Sequence, residues 1–382
     1  MNFEVEYNPK NNKENISKKY EKTVKRKKKK SSNKRKKLIL VSTILFIFLA
    51  TSIPMYFYLN SNTQTPVVKI PEEKTKKLTI FDENSNERPI AIMIDNNVGN
   101  NNHIGLQESY LNYEIIVEGG LTRIMAIFKD KNVSTIGPVR SSRHYFLDYA
   151  LENDAIYTHY GWSTYAENDI QQLNVNNING LTDDTPYWRD KLIKAPHNVF
   201  TSTENLRSYA LTKNYQKTSS KWQLLKYDAD EISLKHYQEK KQSSESNTTE
   251  TNLLTANNIS MQYSNHQTRS YKYDAENKYY LRFMNEEAHI DKLTNKQLHY
   301  KNIIIERVNN KTLDSYGRQD LDTVGYGTGY IITDGYALPI NWTKTSRSAK
   351  TKYTYKNGKE VVLNDGNTFI QIVPTTSNIT IG

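Results

Sequence analysis

The chain has 382 residues, with 52 Lys/Arg against 41 Asp/Glu, a net charge of +11, and no cysteine. Without cysteine a disulfide-stapled scaffold is excluded, so any exported part must fold on core burial alone. The charge is also concentrated. Residues 1–37 hold 15 Lys/Arg and 4 Asp/Glu, and the rest of the chain holds 37 of each, which excludes reading the whole protein as a nucleic-acid binder.

Residues 1–37 are rich in Lys, Asn and Glu and poor in apolar side chains, which predicts a disordered cytoplasmic tail. Its basic run acts as a topology signal and attracts anionic lipid. A nucleic-acid-associated partner at the tail is a further reading; such binding would be sequence-independent and salt-sensitive. The next 22 residues, Leu38 to Leu59, contain no Asp, Glu, Lys or Arg. At about 1.5 Å per residue they reach roughly 33 Å, enough for a hydrocarbon core of about 30 Å. The spacing predicts one transmembrane helix, N-terminus cytoplasmic, with residue 60 onward outside the cell membrane. The competing reading is a cleaved signal peptide, whose apolar core is shorter, about 7–15 residues, and ends in a small-residue site. Thr51-Ser52-Ile53-Pro54 substitutes poorly for that site. With no cysteine to lipidate, the helix is expected to anchor the protein. The composition suits a Gram-positive envelope.

Residues 60–87 are polar, carry Pro66 and Pro71, and read as a tether. Order is expected from Arg88. Arg88 to Asp95 is a short buried strand, and Tyr113 to Glu118 and Arg123 to Phe128 are strands separated by Gly119-Gly120. Arg143 to Asn153 reads as a helix, Ala155 to His159 as a strand and Thr164 to Leu173 as a helix. Thr201 and Glu204 look like a capping box opening a helix to about Leu211. Residues 88–215 thus form a mixed α/β domain. Residues 216–256, rich in Lys, Gln and Ser, read as a linker or surface excursion. Residues 257–376 carry eight runs of β composition, among them Arg269 to Tyr273, Asn302 to Val308 and Thr368 to Val373, with Asn357-Gly358 as a hairpin signal. The expected fold class is α+β: a transmembrane helix, a mixed α/β domain, then a mainly antiparallel β domain.

Chemistry concentrates in Glu118 to Arg123 and Ile136 to Arg143. Gly137-Pro138 forces a turn, placing Arg140, Ser141, Ser142 and Arg143 at a helix start, where free N–H groups and guanidiniums could cradle phosphate or carboxylate. The bland reading pairs Arg140 and Arg143 with Glu118, Asp148 or Asp95 inside the domain. Arg189, beside Trp188, and His197, in Ala195-Pro-His-Asn198, suit recognition of a sugar or peptide face, or simply loop packing. His159 and His197 are candidate general bases if they titrate near neutrality, although a lone histidine is more often just hydrogen-bonded. The candidate ligand-binding set is Asp95, Glu118, Arg123, Arg140, Arg143, Arg189 and His197. No metal spacing is present, no nucleophile elbow, and no cofactor is expected; Gly325-Tyr-Gly-Thr-Gly329 lacks the helix a dinucleotide loop requires.

Several of these stretches together resemble one family. Arg88-Pro-Ile-Ala-Ile-Met-Ile-Asp-Asn96, Tyr113 to Arg123, Ile136-Gly-Pro-Val-Arg-Ser-Ser-Arg143, Trp188-Arg-Asp-Lys191 and Ala195-Pro-His-Asn198 are similar to the YerB-like family. So are Tyr280-Leu-Arg282, His289-Ile-Asp291, Gly325-Tyr-Gly327, Asp334-Gly335 and Trp342-x-Lys344. The resemblance covers about Pro89 to Pro374. It implies a two-domain extracytoplasmic bacterial protein of unknown function, often a lipoprotein, and brings no established catalytic residues. Here an apolar helix stands in for the lipidated cysteine, and Asn285-Glu-Glu-Ala288 replaces a glycine-containing turn.

The leading functional expectation is a membrane-anchored envelope module that binds an anionic ligand through Arg140, Arg143 and Arg123. The alternative is an enzyme on phosphate-linked envelope polymers, since the order of strand, Asp95, arginine turn and helix is similar in layout to LytR–CpsA–Psr transferases. A docking platform acting through the tail is the third. Whether the chain is an enzyme stays open, as does its oligomeric state.

Overall fold

The computed structural model describes residues 76–97, 103–235 and 253–382, with eight helical positions between 40 and 55. Residues 1–37, expected to be a disordered tail, lie outside the described residues, as do most of the 38–59 segment and the start of the tether. Among the described residues no helix is long and apolar enough to cross a membrane. Residues 75–382 form one compact unit.

The first strand follows directly from its sequence. In β1 (Ile90–Asp95) all six side chains are buried, as a near-continuous apolar run demands. β2 (Leu111–Ile116) and β3 (Thr122–Phe128) are equally buried and pair antiparallel, β3 also pairing with β1. α1 (Phe146–Glu152) packs beside β4 (Ile156–His159), which runs parallel to β1. α2 (Thr164–Gln172) is capped by Ser163 and leads to β5 (Asn177–Asn179). β6 (Tyr187–Arg189) and β7 (Val199–Thr201) make a small hairpin. α3 (Thr203–Thr212) starts one residue later than expected, because Ser202, not Thr201, caps it by accepting from Asn205 N.

The later part supplies β8 (Asn258–Ser264), β9 (Gln267–Asp274) and β10 (Tyr279–Met284), consecutive antiparallel strands. Then come β11 (Asn302–Val308), β12 (Gly325–Thr333), β13 (Tyr336–Lys344), β14 (Lys352–Tyr355), β15 (Thr368–Pro374) and β16 (Ile379–Ile381). The expected division at 216–256 separates stretches of sequence, but one sheet joins them. Its order is β14-β13-β12-β11-β15-β2-β3-β1-β4-β5. β15 lies parallel to both β11 and β2, closing the sheet across the two halves. The expected mainly antiparallel second domain is therefore built partly on parallel pairing. A second sheet, containing β10-β9-β8-β16, covers one face.

Neighbouring residues of β2 show how the layers stack. Successive side chains of a strand point to opposite faces. Tyr113 reaches Glu152 of α1 at 2.9 Å, whereas Glu114 reaches Arg269 of β9 at 2.6 Å. The described ends of the two segments read as tether and linker pack rather than hang free. Phe81 is buried against Tyr110, Trp222 and Tyr227, and Asp365 accepts from Thr79 N and Ile80 N at 2.8 and 3.0 Å. Trp222, Leu225 and Leu234 are likewise buried, so apolar side chains scattered in polar sequence still join the core.

Candidate functional site

The candidate residues converge where β1 ends. Asp95, last in β1, sits directly opposite Arg123 of β3. The segment after cis-Pro138 runs alongside β1, with Asp95 N donating to Pro138 O and Arg140 N to Met93 O, both at 2.9 Å. Ser142 N donates to Gly161 O at 2.8 Å. These bonds correct one expectation. Arg140 to Arg143 do not open a helix; α1 begins only at Phe146, and the backbone N–H groups of Arg140 and Ser142 are already used. Any anion here meets side chains, not a helix terminus.

Arg143 grips Glu118 with a bidentate fork, Nε to Oε1 at 2.5 Å and Nη2 to Oε2 at 2.7 Å. Burial raises the Glu118 carboxyl, but Arg143 outweighs it and holds the pKa low. Arg140 Nε stands 3.7 Å from Asp95 Oδ2, too long for a hydrogen bond, and is buried without an acceptor. Its Nη1 donates to Pro196 O at 3.2 Å. His197 donates through Nδ1 to Asp95 Oδ2. Burial pushes the Asp95 carboxyl up, yet Arg140 and His197 together bring its pKa below the usual value.

Arg123 is the exception. It is 8% exposed, and its guanidinium donates to Ser141 O at 2.5 Å but pairs with no carboxylate among the described residues. Burial, reinforced by the Arg143 and Arg140 charges nearby, lowers its pKa to about 9. The cluster thus gathers three guanidiniums around two carboxylates. A buried charge without a partner is costly, and an incoming anion removes that cost.

Two candidates fall outside this geometry. Arg189 bonds Asn198 Oδ1 at 2.8 Å and stacks on Tyr160, so it serves the hairpin. His159 is fully buried between Gly161 O and Asn177, with burial lowering its pKa to about 4, away from the near-neutral titration its reading as a general base called for. Asp148 pairs with Arg347 at 2.5 Å rather than with Arg140 or Arg143. Among the described residues no group of three or more His, Asp or Glu could hold a metal ion.

Sequence reasoning missed a second cluster just behind the first. Glu114 is completely buried and receives Arg269 Nε and Arg282 Nη2, each at 2.6 Å, with Asn96, Thr122 and Gln371 filling its remaining lone pairs. Burial alone would raise its pKa, but Arg269 and Arg282 bring it down to about 2. Arg282 Nη1 donates to His289 Nδ1, which leaves His289 Nε2–H to donate to His103 Nδ1 at 2.9 Å. His103 Nε2–H then donates to Asp95 O, so a one-way hydrogen-bond chain runs from Arg282 to the Asp95 backbone. Burial lowers the pKa of both imidazoles. A charge on the buried side of an alternating strand, as Arg269 is in β9, was the available signal.

Comparisons with known proteins agree with this two-part construction. The family described as protein of unknown function (DUF3048) matches through its N-terminal domain at residues 75–216 and its C-terminal domain at residues 259–370. A Bacillus subtilis (strain 168) protein named "Putative lipoprotein YerB" is 28% identical over 288 residues, 75% of this chain and 81% of that protein. The crystal structure of YerB protein from Bacillus subtilis has a TM-score of 0.64 and 27% identity, covering 77% of this chain and 94% of that one. With both halves matched and joined through one sheet, the chain belongs to the YerB-like, DUF3048 family of proteins of unknown function.

Proposed function

We propose that this protein is a membrane-anchored, extracytoplasmic module of the cell envelope that binds an anionic, phosphate-bearing ligand at Arg123, Arg140 and Arg143. The observation that carries the reading is the buried Arg123 guanidinium, which has two like charges nearby and, among the described residues, no carboxylate paired to it, the neighbouring Glu118 being held by Arg143. Supporting it, the buried Arg140 Nε lacks an acceptor. The envelope location is supported by the basic flank before an apolar segment and by the lipoprotein name of the Bacillus subtilis relative. Within that segment Thr43 and Thr51 return their hydroxyls to Leu40 O and Ile47 O, satisfying polar groups as an apolar surrounding requires.

Thermal unfolding with inorganic pyrophosphate tests the site. Wild type is expected to gain about 2.7 kcal/mol at a hundredfold excess over Kd, and Arg140→Ala to gain nothing while folding near normally. A variant stabilised as much as wild type would remove the proposal. One observation favours the enzyme as a second reading: Asp95 holds His197 by Nδ1, which leaves Nε2 for proton transfer on a phosphate-linked polymer. Turnover of such a polymer lost in His197→Gln, with pyrophosphate binding retained, separates the two.

A further inference from the structure

Three separate loops frame the arginine cluster, and each presents an apolar side chain to solvent. The loop between β6 and β7 reaches the cluster through His197 and Pro196, and carries Leu192, 96% exposed. Leu181, 63% exposed, sits against Gly161 beside Ser141, whose carbonyl receives Arg123. The third loop brings Gly317 up to Gly119, next to Glu118, and places Tyr316, 78% exposed, at its tip. Isolated exposed leucines are ordinary on a soluble surface. Apolar tips on three loops around one cationic site form a pattern that a single leucine does not.

Charge on the same rim points to the occupant. Lys191 and Lys194 flank Leu192, both exposed, and among the described residues neither forms an ion pair. Apolar tips between unpaired lysines match an anionic bilayer, which takes the tips into its boundary and draws the lysines to its phosphates. A soluble anion would need the arginines but would leave the leucines without a use.

We propose that this rim docks on an anionic lipid bilayer, so that the arginine cluster receives a phosphate borne by a lipid at the membrane surface. The inference rests on the anion-binding reading above and adds the source of the anion.

The cysteine-free chain allows a clean test. Leu192→Cys and Tyr316→Cys are labelled with an environment-sensitive fluorophore in the full chain, reconstituted in phosphatidylcholine vesicles with or without phosphatidylglycerol. Lys356→Cys, in the turn after β14 at the opposite edge of the large sheet, is the control. Probes at 192 and 316 should shift to the blue and be quenched by brominated lipid only with phosphatidylglycerol present, and the control should do neither. Lys191→Ala and Lys194→Ala should each weaken the docked population about fivefold. Equal quenching at 192 and 356, or quenching indifferent to phosphatidylglycerol, overturns docking. Pyrophosphate stabilisation without quenching at 192 makes the ligand a soluble anion and also overturns it. Quenching without any pyrophosphate effect instead overturns the anion site alone.

Discussion

Two charge clusters meet at neighbouring strands β2 and β3 and differ in both burial and pairing: Arg269 and Arg282 are fully buried, whereas Arg123 is slightly exposed and Arg140 and Arg143 are only half-buried. Arg269 and Arg282 share the carboxylate of Glu114, which also collects three neutral donors. Arg123, nearly as deep, donates to a single carbonyl and pairs with no carboxylate among the described residues. Burial alone therefore does not set Arg123 apart; burial without a paired carboxylate does. The first cluster ties β2 to β9 and β10, and so holds the second sheet on the first. The second leaves Arg123, opposite the last residue of β1, without a paired carboxylate among the described residues.

The largest effect should come from breaking the paired cluster. Glu114→Ala leaves two guanidiniums buried without a carboxylate and should cost about 3–5 kcal/mol in urea unfolding. Because the Glu114 pKa is lowered to about 2, its contribution is fully present above the unfolded value of 4.5 and is lost as pH falls toward 2. A variant within 1 kcal/mol of wild type, on the order of an ordinary surface change, would break the contrast.

Glu306 sharpens the rule from the opposite sign. It is a buried carboxylate bonded, among the described residues, by the hydroxyls of Tyr149 and Tyr353, at 3.0 and 2.6 Å. Burial raises its pKa from 4.5 to about 7. The folded state thus keeps its proton longer than the unfolded one. The destabilisation is absent below pH 4.5, grows up to about pH 7 and is constant above, reaching on the order of 3 kcal/mol. Glu306→Gln should flatten this pH dependence of stability, and an unchanged profile would contradict it.

Smaller still is Arg123→Met. Removing an uncompensated cation costs the Ser141 carbonyl its donor but relieves a buried charge, so stability should stay within about 1 kcal/mol of wild type. Arg189→Ala, touching only Asn198 and Tyr160, should change stability by about 0.5 kcal/mol and leave the anion response intact.

The open cluster was legible in the sequence because its residues crowd the ends of three consecutive short stretches. Glu118, Arg123, Arg140 and Arg143 lie close to glycine or proline turns, and Asp95 ends a buried strand before an Asn-rich stretch. The paired cluster was not, since Arg269 and Arg282 lie 155 and 168 residues from Glu114, and no local spacing relates them. The joined sheet was hidden for the same reason. β15 reads as one more β run near the C-terminus, yet it slots between β11 and β2. The helix expected from Arg143 begins only at Phe146, because the chain through Arg140 and Ser142 is still held as extended backbone against Met93 O and Gly161 O.

The most direct test of the contrast is calorimetric titration of inorganic pyrophosphate into wild type and Arg123→Met. Saturable binding by the wild type at one site, lost in Arg123→Met although the variant unfolds at the wild-type midpoint, is the result expected of an unpaired arginine that awaits its anion. Binding that survives the substitution unchanged, or no binding to the wild type, would show that Arg123 is as structural as Arg269.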